Sequence, residues 1–80
     1  MLTKYIEAAM RNARYEVLPE DGTIFGEVPG FPGVWANAPT QAECREELQE
    51  VLEDWLLLGF RRHITLPVVD GIDLNAPAVA

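Results

Sequence analysis

Carboxylates are the side chains best able to do chemistry in this chain, and their spacing decides which chemistry. Glu43, Glu46, Glu47, Glu50, Glu53 and Asp54 recur three and four residues apart. On a helix that spacing sets them in a row along one face. Two-metal nuclease chemistry needs carboxylates that converge on a point from different elements, and a row diverges. Outside it, Glu16 and Glu27 stand in strand-like runs, and Asp70 and Asp73 in a C-terminal stretch of no evident element. A metal-dependent nuclease is therefore the least favoured reading, and no catalytic residue, metal or cofactor is expected. His63, the single histidine, opens a strand-like run with no acid or base at recognisable spacing, and reads as structural or exposed. Cys44 is the single cysteine, which excludes an internal disulfide and a multi-cysteine metal site. It falls on an apolar stripe, where a thiol behaves as a small hydrophobe. Nearness to a helix N-terminus would lower its pKa, but without a partnering histidine it is not read as a nucleophile. The remaining chemistry is non-covalent. Six carboxylates against Arg45 leave −5 between Gln41 and Leu58. Like charges at these spacings cost a few tenths of a kcal/mol per pair. Folding alone gives no reason for that cost, so the row is read as a docking face for a basic partner, with a plain solvated face as the alternative.

The whole chain carries the same sign, with 13 acids against 6 bases and a net charge of −7. Nucleic acid and anionic membrane surfaces both require Lys and Arg, so neither is an expected partner. A basic protein is, because the charge runs along an element. The 80 residues, 49% hydrophobic and 24% charged, suit one folded domain over 1–80. A chain this short buries only roughly 60–65% of its unfolded surface, and self-association would relieve its thin core. The N-terminus lacks the apolar run of a signal peptide, and no stretch approaches ~20 apolar residues. With a lone cysteine, this reads as a cytosolic protein.

The elements that must position these residues follow from periodicity. Leu2, Tyr5, Ile6, Ala9 and Ala13 predict a first helix over residues 1–13. Alternation in Arg14–Leu18 predicts a strand, Pro19–Gly22 a turn, and Thr23–Val28 a second strand completing a hairpin. Pro29, Gly30, Phe31, Pro32 and Gly33 then form a corner. Its prolines remove two N–H donors and stop the ladder, while Phe31 can fold inward over the core. Gly33–Ala38 predicts a short third strand, ended by Pro39. Thr40 with Glu43 makes a capping box. Cys44, Leu48, Val51, Leu52, Trp55 and Leu58 form the apolar stripe of a helix from Gln41 to Leu58, with Gly59 just beyond its end. His63–Leu66 predicts a fourth strand, broken by Pro67, and 68–80 is a tail. The expected class is α+β in the order α-β-β-β-α-β, a mostly antiparallel sheet with one helical crossover. The sheet face away from the long helix must then be covered by the first helix, a second subunit or water. A third strand at the sheet edge invites pairing with another chain. A homodimer with Phe31, Val34 and Trp35 at its interface is expected.

The corner Gly26–Ala36, the segment Ala38–Glu43 and a helix ending in Leu57-Leu58-Gly59 resemble the HicB antitoxin family, of UPF0150 type, over about residues 14–67. The resemblance implies a partial ribonuclease H-like fold. It also implies a protein that binds and silences HicA toxins, which are small basic ribonucleases acting on messenger RNA. Many HicB proteins carry a C-terminal DNA-binding segment. Here the fourteen residues after Leu66 contain no Lys or Arg, so a short form without operator binding is expected. The helix over 1–13 stands in front of the family pattern. An orphan homo-oligomeric relative without a toxin is the alternative.

Overall fold

The structure, a computed structural model, describes residues 1–75. The element order is α1 (Leu2–Arg11), β1 (Arg14–Val17), β2 (Ile24–Glu27), β3 (Trp35–Ala38) and α2 (Gln41–Arg62). The strands form one antiparallel sheet in the order β1-β2-β3, as an α+β chain with hairpin-linked strands should. The turn between β1 and β2 is built as its residue types require. Gly22 takes φ 72°, and Asp21 accepts from the Thr23 amide (3.0 Å) and hydroxyl (2.7 Å). These are local bonds that aspartate readily supplies.

The corner from Val28 to Val34 closes on its own backbone. The Val28 amide donates to Val34 (3.2 Å), Phe31 to Val28 (3.2 Å) and Val34 to Phe31 (3.1 Å). Gly30 and Gly33 stand at φ 88° and 84°, where a side chain would be strained although the space around them is open. This shape turns Phe31 inward. Its ring meets Tyr5 edge-on at 6.1 Å and Trp55 at 5.2 Å, so one aromatic from the corner ties α1 to α2.

Register sorts the sheet into two faces. Tyr15 pairs with Gly26, and Gly26 with Ala36. These residues face α2, against which Ala36 and Ala38 are buried. Arg14, Glu16, Phe25, Glu27, Trp35 and Asn37 alternate to the other face. All of them are exposed except Phe25, which is half-buried. The helix α1 packs on α2 and buries Tyr5, Ala8, Ala9 and Met10. Leu2 and Ile6, expected on that buried stripe, are exposed and half-buried. The outer sheet face is thus left uncovered among the described residues.

Two expectations at the C-terminal end are corrected. The helix α2 does not stop at Leu58. It continues to Arg62 with Gly59 buried inside it. The left-handed residue at its end is His63, φ 53°, whose amide and that of Ile64 donate to Phe60 (3.4 Å) and Gly59 (3.2 Å). Gly59 is there for room, since a Cβ would stand 2.9 Å from Leu66 Cδ2 and 3.2 Å from Ile64 Cγ1. The fourth strand over His63–Leu66 does not form among the described residues. At 22 residues, α2 is about 33 Å long, against about 13 Å for a four-residue strand. The chain therefore emerges beyond the sheet and returns along the helices. There the Leu66 amide donates to Asn75 Oδ1 (2.7 Å), and Asn75 Nδ2 donates to the Leu66 carbonyl (3.0 Å). One side-chain amide substitutes for a strand partner. The strap is fixed further by Tyr5 Oη donating to the Pro67 carbonyl (2.6 Å), and it ends in a bridge between Val69 and Ile72. Of the tail expected over 68–80, residues 76–80 lie outside the described residues.

Candidate functional site

The six carboxylates of α2 are all exposed. At 3.6 residues per turn they span an arc of about 120°. That arc lies opposite Cys44, Leu48, Leu52, Leu56 and Gly59, which are buried. Leu56 takes the core place expected for Leu58, which is 46% exposed. Two of the six make local bonds. Glu43 lies in the first turn, where its amide donates to Oγ1 of the N-cap Thr40 (3.2 Å) and its carboxylate accepts from the same hydroxyl (3.0 Å). Glu53 accepts from Gln49 Nε2 (3.1 Å). Among the described residues the ion pair found is Arg11 with Asp70 at 3.6 Å, well away from this face. Glu46, Glu47, Glu50 and Asp54 are therefore a concentrated, uncompensated negative surface on a rigid helix. A surface of this kind attracts cations and repels phosphate.

The three residues expected at a subunit interface are not placed alike. Phe31 and Val34 are buried in the chain's own core, at 4% and 2% exposure. Trp35 alone of the three is on the surface, 56% exposed, with its ring stacked on Phe25 at 5.9 Å and 26°. The corner demanded an inward Phe31, and Val34 closes that corner; neither was free for a neighbour.

The model of a family described as UPF0150-like matches residues 4–67. The chain belongs to this UPF0150-like family. This is the HicB-like group that the corner, cap and helix resemble. A crystal structure of TTHA0281 from Thermus thermophilus is similar, with 43% identity and a TM-score of 0.85 over 95% of this chain and 94% of that one. Comparison with curated proteins gave no match. The UPF0150-like match begins at residue 4, so it takes in α1, which was expected to stand in front of the family pattern. The strap and Phe31 explain this. Both pack on Tyr5, so α1 completes the core of the family unit.

Other reactive groups in this UPF0150-like chain are held apart. Among the described residues no cluster of three or more His, Cys, Asp or Glu is placed to hold a metal ion. Glu16 and Glu27 lie on the open sheet face. Asp70 accepts from Asn12 Nδ2 (3.2 Å), and Asp73 from Asn75 (2.9 and 2.8 Å). Cys44 is fully buried, its Sγ donating to the Ala36 carbonyl at 3.5 Å. Burial pushes its thiol pKa up and the Glu47 charge adds to this, against a smaller opposing effect of the Gly26 backbone. The thiol pKa is thus raised, where nearness to the helix N-terminus had suggested a lowering. His63 is exposed and serves as the left-handed terminus of α2. No helix among the described residues is long and apolar enough to cross a membrane.

Sequence reasoning missed one surface. Leu2 and Ile6 of α1 and Leu56, Leu57 and Phe60 of α2, with Glu53 and Asp54, line a groove of about 420 Å³ between the helices. It was not visible because Leu2 and Ile6 fit a buried stripe, and Leu57 and Phe60 fitted none. Only the helix–helix packing brings the four together.

Proposed function

We propose that the chain is an antitoxin-like binding protein that masks a small basic messenger-RNA ribonuclease of HicA type. The observation that carries this reading is the uncompensated carboxylate face of α2 on a chain of the UPF0150-like family. The mechanism is stoichiometric. A preformed negative surface covers the positive surface with which the ribonuclease holds its phosphate substrate. No bond is made or broken by this chain, and no cofactor is required.

Co-expression with a small basic protein encoded beside it tests the reading: the wild-type chain should restore growth and co-purify. Glu46→Lys, Glu47→Lys and Glu50→Lys together should abolish both effects. Retained affinity in the reversed variant would remove the acidic face from the mechanism. Added RNA–DNA hybrid with Mg²⁺ should stay intact, and clear cleavage would replace this reading with an enzymatic one.

A homo-oligomer is the second reading, favoured by the open sheet face and its exposed Trp35. It needs no toxin and is compatible with one. Light scattering at micromolar concentration should give twice the chain mass or more, falling to that of a monomer in Trp35→Ser. A monomeric wild-type chain would end it.

A further inference from the structure

We infer that the groove between α1 and α2 seats the apolar stripe of an amphipathic basic helix. Groove and acidic face then form one composite interface. The inference rests on the docking reading above and states what the partner must present.

The groove has an apolar centre and a charged rim. Leu56 is its buried floor, at 2% exposure, while Leu2 (45%), Leu57 (52%) and Phe60 (42%) stand open to solvent. Glu53 and Asp54 belong both to the groove lining and to the carboxylate row, so the two surfaces are continuous. Interfaces draw most of their affinity from such a desolvated apolar centre, with polar groups around it. An amphipathic helix meets both demands, because apolar residues at i, i+3 and i+4 lie between flanking side chains that reach the rim.

Charge selects the occupant. A basic helix places Lys or Arg against Glu53 and Asp54 and continues onto Glu50 and Glu46. An acidic or neutral helix would leave those carboxylates facing like charge or partly desolvated without a partner. A second copy of this chain is disfavoured for the same reason. Each copy carries −7, and pairing the groove with itself across a two-fold axis brings two sets of Glu53 and Asp54 together.

The probe is a synthetic Leu/Lys peptide of about 18 residues patterned as an amphipathic helix, with a scrambled isomer of the same composition. Each is titrated into the isotope-labelled full chain and followed by amide and methyl NMR shifts. The patterned peptide should shift Ile6, Leu57 and Phe60 and bind at least about tenfold tighter than the isomer. Leu57→Ser with Phe60→Ser should erase that preference, and Leu57→Lys alone should do so by repulsion. All three changes are at exposed positions. Equal binding of the two peptides, or shifts confined to Phe25 and Trp35, would overturn the inference. So would a wild-type dimer that the Leu57→Ser, Phe60→Ser chain no longer forms, because the occupant would then be a second copy. The two proposals fail separately. The masking reading falls if the wild-type chain neither restores growth nor co-purifies with its basic neighbour, and the acidic face leaves it if the Glu46, Glu47 and Glu50 reversals keep toxin binding intact. The groove falls if those reversals weaken binding while the Leu57 and Phe60 changes do not.

Discussion

Gly26 lies beneath α2, against Cys44. A Cβ there would stand 2.9 Å from Cys44 Sγ, whose thiol is bonded to the Ala36 carbonyl, and 3.0 Å from the Tyr15 ring. Gly26→Ala should therefore lower stability by about 1–3 kcal/mol, as overpacking in a tight core does, and thermal melting followed by circular dichroism would measure the loss. An unchanged melting point would mean that Tyr15 can swing aside. A second residue-scale effect is pH-dependent. Bonds from the Thr23 hydroxyl, and then the Thr23 amide, hold the Asp21 carboxyl below its ordinary value. A depressed carboxyl contributes stability that is present above the unfolded value, near 4, and is lost as pH falls through the lower folded one. The Thr23 amide resonance should move in that acid range, and in Asp21→Asn the movement should vanish. Asn37 extends this cluster by donating to Thr23 Oγ1 (2.7 Å) and to the Ile24 carbonyl (3.0 Å), so β3 would report the same titration. The aspartate and glycine of this turn were evident in the chain, whereas Asn37 was not, because its partner lies 14 residues away.

At the scale of elements, α2 is held against its own charge. Its carboxylates repel one another at i, i+3 and i, i+4, and the buried leucines of the opposite side keep the helix in place. Glu47→Gln with Glu50→Gln should raise stability by a few tenths of a kcal/mol per pair removed, with less gain at high salt. A loss on denaturant titration would show that these groups support the fold. The strap after α2 makes the opposite case, in which one polar side chain secures a segment. Asn75→Ala leaves the Leu66 amide without its partner. It should cost about 1–3 kcal/mol if that amide stays buried, with faster hydrogen exchange at Leu66 as the direct readout; unchanged exchange would mean that the strap is held by its apolar contacts alone. Hairpin, corner and helix cap were legible because each is a local pattern of Gly, Pro, Asp or Thr beside an alternating or helical run. The fate of His63–Leu66 was not. Its residues favour a strand, but a strand needs an edge to pair with, and the length of α2 delivers this segment away from one. Gly59 misled for a related reason. Its type suits a helix terminus, yet it was required for the close passage of Leu66.

As a whole the molecule is elongated, 53 × 22 × 16 Å with a radius of gyration of 13.9 Å, against about 12 Å for a compact domain of this length. Among the described residues, the acidic side of α2 with its adjoining groove and the sheet face bearing Phe25 and Trp35 are the surfaces proposed as contact sites. The net charge acts at this scale through association rates. The patterned basic peptide should bind about tenfold more slowly or worse when salt is raised from about 50 to 500 mM, because steering is screened beyond a Debye length. A rate indifferent to salt would show that charge does not guide the encounter. By itself the sequence determined the α+β class, the hairpin, the capped start of α2 and the one-sided row of carboxylates, because each depends on residues close in the chain. Tertiary structure alone decided that α1 lies on α2 rather than on the sheet, that Val34 belongs to the core while Trp35 faces outward, and that a groove opens between the helices. Those outcomes depend on which buried faces fit together, and that choice is made between residues far apart in sequence by packing and the exclusion of water.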